Sequence, residues 1–263
     1  MFYNGLAMER FVEIDHLLQK DGYTRRQLFD LIQRYYPLYD DNSCSWVLGS
    51  LLERKVLYNA GYDAFFKKGN SFEIEMPSSP LIKEIISALS RLDSGAKYSC
   101  YSPERLNAVL NDVAAIDAII FEVEKKWLYP LYLELKSKTK SSILLNPSDD
   151  EFARYYAEGC LILRPLPSKA PCKGGRLLIE KLCVDLLKGE FDASFPLLEP
   201  EQAAMDLISS FDMNIKTMLS YAERRGVKTK AINLVYEALP KAKLEIMKMS
   251  NKFPKREMED SKL

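Results

Sequence analysis

The chain has 263 residues, 47% of them hydrophobic and 28% charged, with 37 basic and 37 acidic side chains and a formal net charge of zero. That length allows two domains, each with its own core, and the balanced charge excludes any general attraction to nucleic acid, so a DNA contact has to come from a local patch. Five widely spaced cysteines and a single histidine, His16, argue against a disulfide framework, a zinc site and Ser-His-Asp catalysis.

Met1 to Arg10 lacks a basic segment followed by an apolar run, so no signal peptide is expected. No apolar stretch approaches the length of a membrane span. The expectation is a cytoplasmic protein with no membrane association.

Residues 8–19 read as an amphipathic helix, with Phe11, Ile14, Leu17 and Leu18 at helical spacing, and Asp21-Gly22 breaks it. Thr24 and Gln27 form a capping box for a second helix that ends at Tyr36-Pro37. A third helix is expected from about Cys44 to Lys55, with Val47, Leu48, Leu51 and Leu52 inside and Ser45, Trp46, Ser50 and Arg54 largely outside. Val56 to Tyr58, a turn at Asn59-Ala60-Gly61, and Tyr62 to Lys68 read as a β-hairpin. Three helices followed by a hairpin is the order of a winged helix-turn-helix, whose third helix enters the major groove. Pro77-Ser78-Ser79-Pro80 belongs to a connector, and the segment up to about Phe72 is expected to fold alone.

Beyond the connector a helix is predicted at 81–92, then strands at 97–101, 118–123, 142–145 and 160–164. Helices at 103–110, 125–138 and 149–158 lie between them. This alternation predicts an α/β layer. A strongly apolar helix at 177–187 and helices at 203–211, 215–224 and 229–239 complete it, with a tail that continues as a helix and frays. The expected fold class is therefore α/β (α+β). A winged helix-turn-helix spans 1–75, an α/β domain ending in a helical bundle spans 81–240, and a charged tail spans 241–263.

Four segments, IIFEVEKKWLYPLYLELK, LLNPSDDEFARYY, LILRPLPSKAP and LLIEKLCVDLL, followed by LSYAERRG, resemble in their order the C-terminal region of AbiEi-like antitoxins. Trp46 to Lys55 and the hairpin resemble that family's winged-helix start. The resemblance implies a DNA-binding transcriptional regulator of a bacterial abortive-infection or viral-defence system. Its partners would be double-stranded DNA at its own promoter and a nucleotidyltransferase-like toxin. No cofactor is implied.

On that reading the DNA contacts would come from Arg25 and Arg26 at a helix start, Ser43, Ser45, Trp46, Ser50 and Arg54 on or beside the third helix, and Lys67 and Lys68 at the end of the hairpin. Lys181 and Asp185 stand four apart on one helix beside Glu180, and Tyr221, Arg224 and Arg225 close another helix before Gly226. These six are candidate partner contacts, with core packing and helix-dipole compensation as the plainer explanation.

Two other functions compete. A PD-(D/E)XK nuclease needs an Asp and a Glu-x-Lys on adjoining strands to hold Mg²⁺. Asp117 with Glu124 to Lys126, or Glu134 to Lys136, fits only superficially, because the latter two sit at a strand-helix junction and inside a helix. A protein-interaction adaptor with a winged helix that no longer binds DNA is the other. Cys172-Lys173-Gly174-Gly175 resembles a phosphate-cradling loop loosely and reads as a plain turn. No catalytic residue and no metal ligand is assigned.

Overall fold

The computed structural model describes residues 14–71, 73–107, 110, 116–139, 141–189 and 199–256. The start of the expected 8–19 helix, Phe72 and the end of the tail lie outside these residues.

Residues 14–17 are helical. β1 (Gly22–Thr24) follows, where the sequence suggested only a break. Thr24 caps α1 (Arg25–Tyr35): its hydroxyl accepts from the Gln27 amide at 3.2 Å, and Gln27 Oε1 accepts from the Thr24 amide at 2.8 Å. That is the expected capping box, which satisfies two donors the helix start would otherwise leave open. α2 (Asp41–Glu53) begins three residues before the expected Cys44. Asp40 is its cap, accepting from the Ser43 amide at 2.8 Å and the Ser43 hydroxyl at 2.7 Å.

β2 (Leu57–Gly61) and β3 (Ala64–Lys67) form the hairpin. Its turn is Tyr62-Asp63, both left-handed with φ of 51° and 56°, as a two-residue turn between twisted strands requires. The turn expected at Asn59-Ala60-Gly61 lies inside β2, where the register slips between Asn59 and Gly61. β1 adds to the free edge of β3, giving an antiparallel sheet in the order β1-β3-β2. Leu28, Ile32, Cys44, Val47, Leu48, Leu51 and Phe65 close a core between α1, α2 and one face of this sheet.

The α/β half begins with α3 (Pro80–Leu92), capped by Ser79. Then come β4 (Tyr98–Tyr101), α4 (Pro103–Leu106), β5 (Ala118–Val123), α5 (Lys125–Lys136), β6 (Ile143–Leu145), α6 (Asp149–Tyr155) and β7 (Cys160–Pro165). A small hairpin of β8 (Cys172–Lys173) and β9 (Arg176–Leu177) leads into α7 (Ile179–Lys188). The four-stranded sheet runs β4-β5-β7-β6, with β4 antiparallel to β5 and the other pairs parallel. Side chains alternate across it. Phe121, Val123, Leu161 and Leu163 pack with α3 and α5, while Ile120 and Ile162 pack on the opposite side with Leu182 and Leu186 of α7.

α8 (Pro200–Ser210), α9 (Ile215–Arg225), α10 (Lys228–Ala238) and α11 (Lys241–Lys248) make the closing helical bundle. The bundle packs on α7 and also on the second face of the first sheet. Ala60, Ala64 and Phe66 belong to the same core as Met218, Leu219 and Met247. Tyr62 stands edge-on to Phe253 with ring centroids 5.3 Å apart, and Lys243 Nζ donates to the Tyr58 hydroxyl at 3.2 Å. The fold is mixed, with helices and small sheets in an α+β arrangement. Among the described residues no helix is long and apolar enough to cross a membrane.

Candidate functional site: a basic cleft over a buried charge network

The topology of the second sheet dictates where a cleft forms. The chain leaves β5 into α5 on one face, and leaves β7 through β8 and β9 into α7 on the other. Adjacent parallel strands whose connections part in this way leave a crevice beyond their carboxyl ends, where α/β sheets characteristically hold ligands. A cleft of about 1430 Å³ lies there. Lys97, Lys125, Lys126, Arg164, Lys169, Lys173 and Arg225 line it, against Glu122, Glu124 and Asp185.

Two of those acids are engaged from below. Glu122 is the residue of β5 paired with Arg164 of β7 and with Ser99 of β4, so the three form one row on the α7 side of the sheet. Lys181 of α7 is fully buried, with its Nζ 2.9 Å from both Glu122 carboxylate oxygens and 2.5 Å from Asp185 Oδ2. The Tyr221 hydroxyl of α9 donates to Asp185 Oδ1 at 2.9 Å, and Arg225 Nε lies 4.0 Å from the same oxygen. Burial would drive the Lys181 ammonium down, but Glu122 and Asp185 outweigh it and hold the group well above its usual range. Burial pushes the Glu122 carboxyl up, against the pull of Lys181. The Tyr101 and Tyr221 phenols are pushed up chiefly by burial. A buried cation held between two acids ties the sheet, α7 and α9 together.

The residues offered as candidate partner contacts are therefore mostly inside. Glu180, Lys181, Asp185 and Tyr221 are all buried, because α7 is covered by the sheet on one side and by α8 and α9 on the others. Glu180 accepts from the Asn214 amide at 2.8 Å. Arg225 is half-buried at the cleft, and only Arg224 is exposed, donating to the Lys169 carbonyl at 3.0 Å.

The residues expected to touch DNA are divided. Ser45 and Trp46 stand exposed on the outer side of α2, Trp46 at 59%, with Ser50 half-buried near them. Ser43 is half-buried and bonded to its cap, Asp40. Three of the cations have acid partners: Arg25 with Asp63 at 3.6 Å, Arg54 with Asp15 at 2.8 Å and Lys68 with Asp212 at 3.3 Å. Arg26 and Lys67 are exposed and enter no ion pair among the described residues. The hairpin, expected to project as a wing, has its outer face covered by α9 and α11. A Cβ on Gly61 would lie 2.3 Å from Lys216 Cβ, so no side chain fits between them.

The acids of the nuclease reading do not gather. Asp117 precedes β5 and Glu124 follows it, about 23 Å apart at strand rise. Glu134 bonds Arg91 at 2.7 Å and Lys138 at 2.8 Å. Sequence reasoning missed Lys97, Glu122, Arg164 and Lys173 as members of one site. The legible signal was a charge next to the end of an otherwise apolar strand, Glu122 in AIIFEV and Arg164 in CLILRP.

No curated protein and no solved structure matches the chain. Residues 43–241 match DUF6577, a family of unknown function. The matched stretch takes in most of α2, the hairpin, the cleft and the bundle as far as the start of α11, and the chain belongs to this DUF6577 family of unknown function.

Proposed function

We propose that the chain is a DNA-binding transcriptional regulator that reads base edges with the outer side of α2, the tip of the hairpin being held back by the bundle. The observation that carries this is the order of helix, β1, α1, α2, β2 and β3 around the β1-β3-β2 sheet, with Ser45 and Trp46 of α2 open to solvent. In a winged helix-turn-helix that helix lies in the major groove. Arg26, Lys67 and the exposed Arg34 would meet phosphates, and Ser45 and Trp46 would meet base edges or sugars. The resemblance to AbiEi-like antitoxins supplies the setting: a cytoplasmic, antitoxin-like regulator of a bacterial defence operon, with a nucleotidyltransferase-like toxin as its protein partner.

Few cations are available and Asp40 and Asp41 flank the start of α2, so binding should be weak and its salt dependence modest, with roughly two or three phosphates engaged per chain. The test is an anisotropy titration on the DNA upstream of the gene, against a scrambled duplex, at several salt concentrations. The upstream duplex should bind more tightly, Trp46→Ala should abolish the preference, and Lys67→Ala should weaken both duplexes alike. Equal binding of the two duplexes, unchanged in both variants, would remove the regulator reading and leave the adaptor.

A further inference from the structure

We propose that the cleft beyond β5 and β7 binds a nucleotide that carries two or three phosphates. Four exposed lysines, Lys97, Lys125, Lys169 and Lys173, line it and enter no ion pair among the described residues. Elsewhere on the surface cations are paired with acids, as Arg91 is with Glu134 and Arg105 with Glu75. Unpaired like charges around one concavity repel one another and raise the local concentration of anions. The acids do not cancel them: three, Glu122, Glu124 and Asp185, line the cleft against seven cations, and the buried Lys181 below offsets the charge of one of the three.

The four lysines come from four separate segments: the approach to β4, the start of α5, the loop after β7, and the β8–β9 turn. Charge that converges on one space from several sides suits a compact polyphosphate. A groove for a nucleic-acid strand would string its cations along a path instead. Two backbone features add to this. α5 is 12 residues long and starts at the rim with Lys125 and Lys126, so its positive end lies at the cleft, with its N-cap Glu124 accepting from the Lys97 amide at 3.2 Å. The β8–β9 turn carries Gly174 and Gly175 at φ of 56° and 76°. A Cβ on Gly175 would lie 2.3 Å from the Tyr98 ring, so only glycine lets the turn bearing Lys173 settle onto that ring. The turn that reads as plain in sequence thus holds a cation at the rim. At about 1430 Å³ the cleft exceeds the usual small-molecule pocket of roughly 300–1,000 Å³, leaving room for base, sugar and phosphates together.

The inference is independent of DNA binding by α2. It is tested on the full chain by isothermal titration calorimetry with each of the four ribonucleoside triphosphates and with a short single-stranded oligonucleotide. At least one triphosphate should saturate a single site. Its affinity should fall by about tenfold or more in the Lys125→Ala/Lys173→Ala double variant, and stay within about twofold in Lys241→Ala, on α11. Far-ultraviolet circular dichroism should be the same for all three proteins. Absence of saturable binding by every triphosphate overturns the proposal. So does binding that the double variant leaves intact, or an oligonucleotide that binds more tightly than any mononucleotide and is weakened by the same pair of substitutions.

Discussion

Lys68 Nζ lies 3.3 Å from Asp212 Oδ2, and the same oxygen accepts from the Gly69 amide at 2.9 Å. The Asp212 side chain is 3% exposed and its own amide donates to the Asn70 carbonyl at 2.7 Å, so the exit of β3 is clamped to the segment before α9. Hydrogen bonds to a charged group contribute about 1.5–3 kcal/mol each before relaxation. Asp212→Ala should therefore lower stability by about 2 kcal/mol, read as a shift in the urea midpoint at unchanged slope. An unmoved midpoint would mean that apolar packing alone seats the hairpin.

The covered hairpin also bears on whether the first unit stands alone. A fragment ending at Pro77 leaves Ala60, Ala64 and Phe66 facing water, and full burial of a phenylalanine alone contributes about 1.5–3 kcal/mol. The fragment should self-associate and melt well below the full chain, which should unfold in one transition. Size-exclusion chromatography with circular dichroism decides it: a monomeric fragment with its own cooperative melt would show that the core around Leu28 and Phe65 suffices.

Lys181→Met should be among the most damaging single changes in the protein. It leaves Glu122 and Asp185 buried without their cation, a loss of about 3–5 kcal/mol. Adding Glu122→Gln and Asp185→Asn removes the two stranded charges and should recover part of that loss. Thermal denaturation of the single and triple variants checks both. A triple variant no more stable than the single one would show that packing volume, not charge, dominates at this position.

Glu180 supplies a pH dependence. Burial raises its carboxyl above the ordinary 4.5, only partly opposed by the Asn214 amide. The folded chain therefore holds this proton more tightly than the unfolded one. The favourable contribution is whole below the ordinary value, and is lost as pH climbs through it toward the folded value. Glu180→Gln keeps an acceptor for Asn214 and cannot ionise. The variant should exceed the native chain in urea stability near neutral pH, and the gap should close in acid below about pH 4. A constant gap across that range would place the effect in packing.

Much of the architecture could be read from residue order, and the reasons differ by segment. Thr24 with Gln27 marked the start of α1 because a capping box is local chemistry. The apolar runs of β5 and β7 declared buried parallel strands. β1 escaped notice because Gly22-Tyr23-Thr24 is too short to show a period, and it exists only by pairing with β3 some forty residues on. The hairpin turn was displaced because Tyr62-Asp63 takes left-handed backbone that favours glycine, while Gly61 stands inside the strand. Lys181 stands out in sequence only as one half of an i,i+4 pair on an apolar helix, since nothing in α7 announces that Glu122 will arrive from a distant strand. The cleft was illegible for the same reason: its lysines are scattered in sequence and meet only once β5, β7 and the β8–β9 hairpin are in place.

The two-faced burial of β3 has a consequence in time. One side of the strand, Phe65, is covered by helices made shortly before it, while the other, Phe66, waits for α9 and α11, which are made much later. β1 near the start of the described chain lies against α11 near its end, a contact of very high sequence separation that is slow to form. Throughout synthesis the Tyr58 and Phe66 side of the sheet stays open to misassociation and to chaperones. A chain halted before Lys241 would remain in that state.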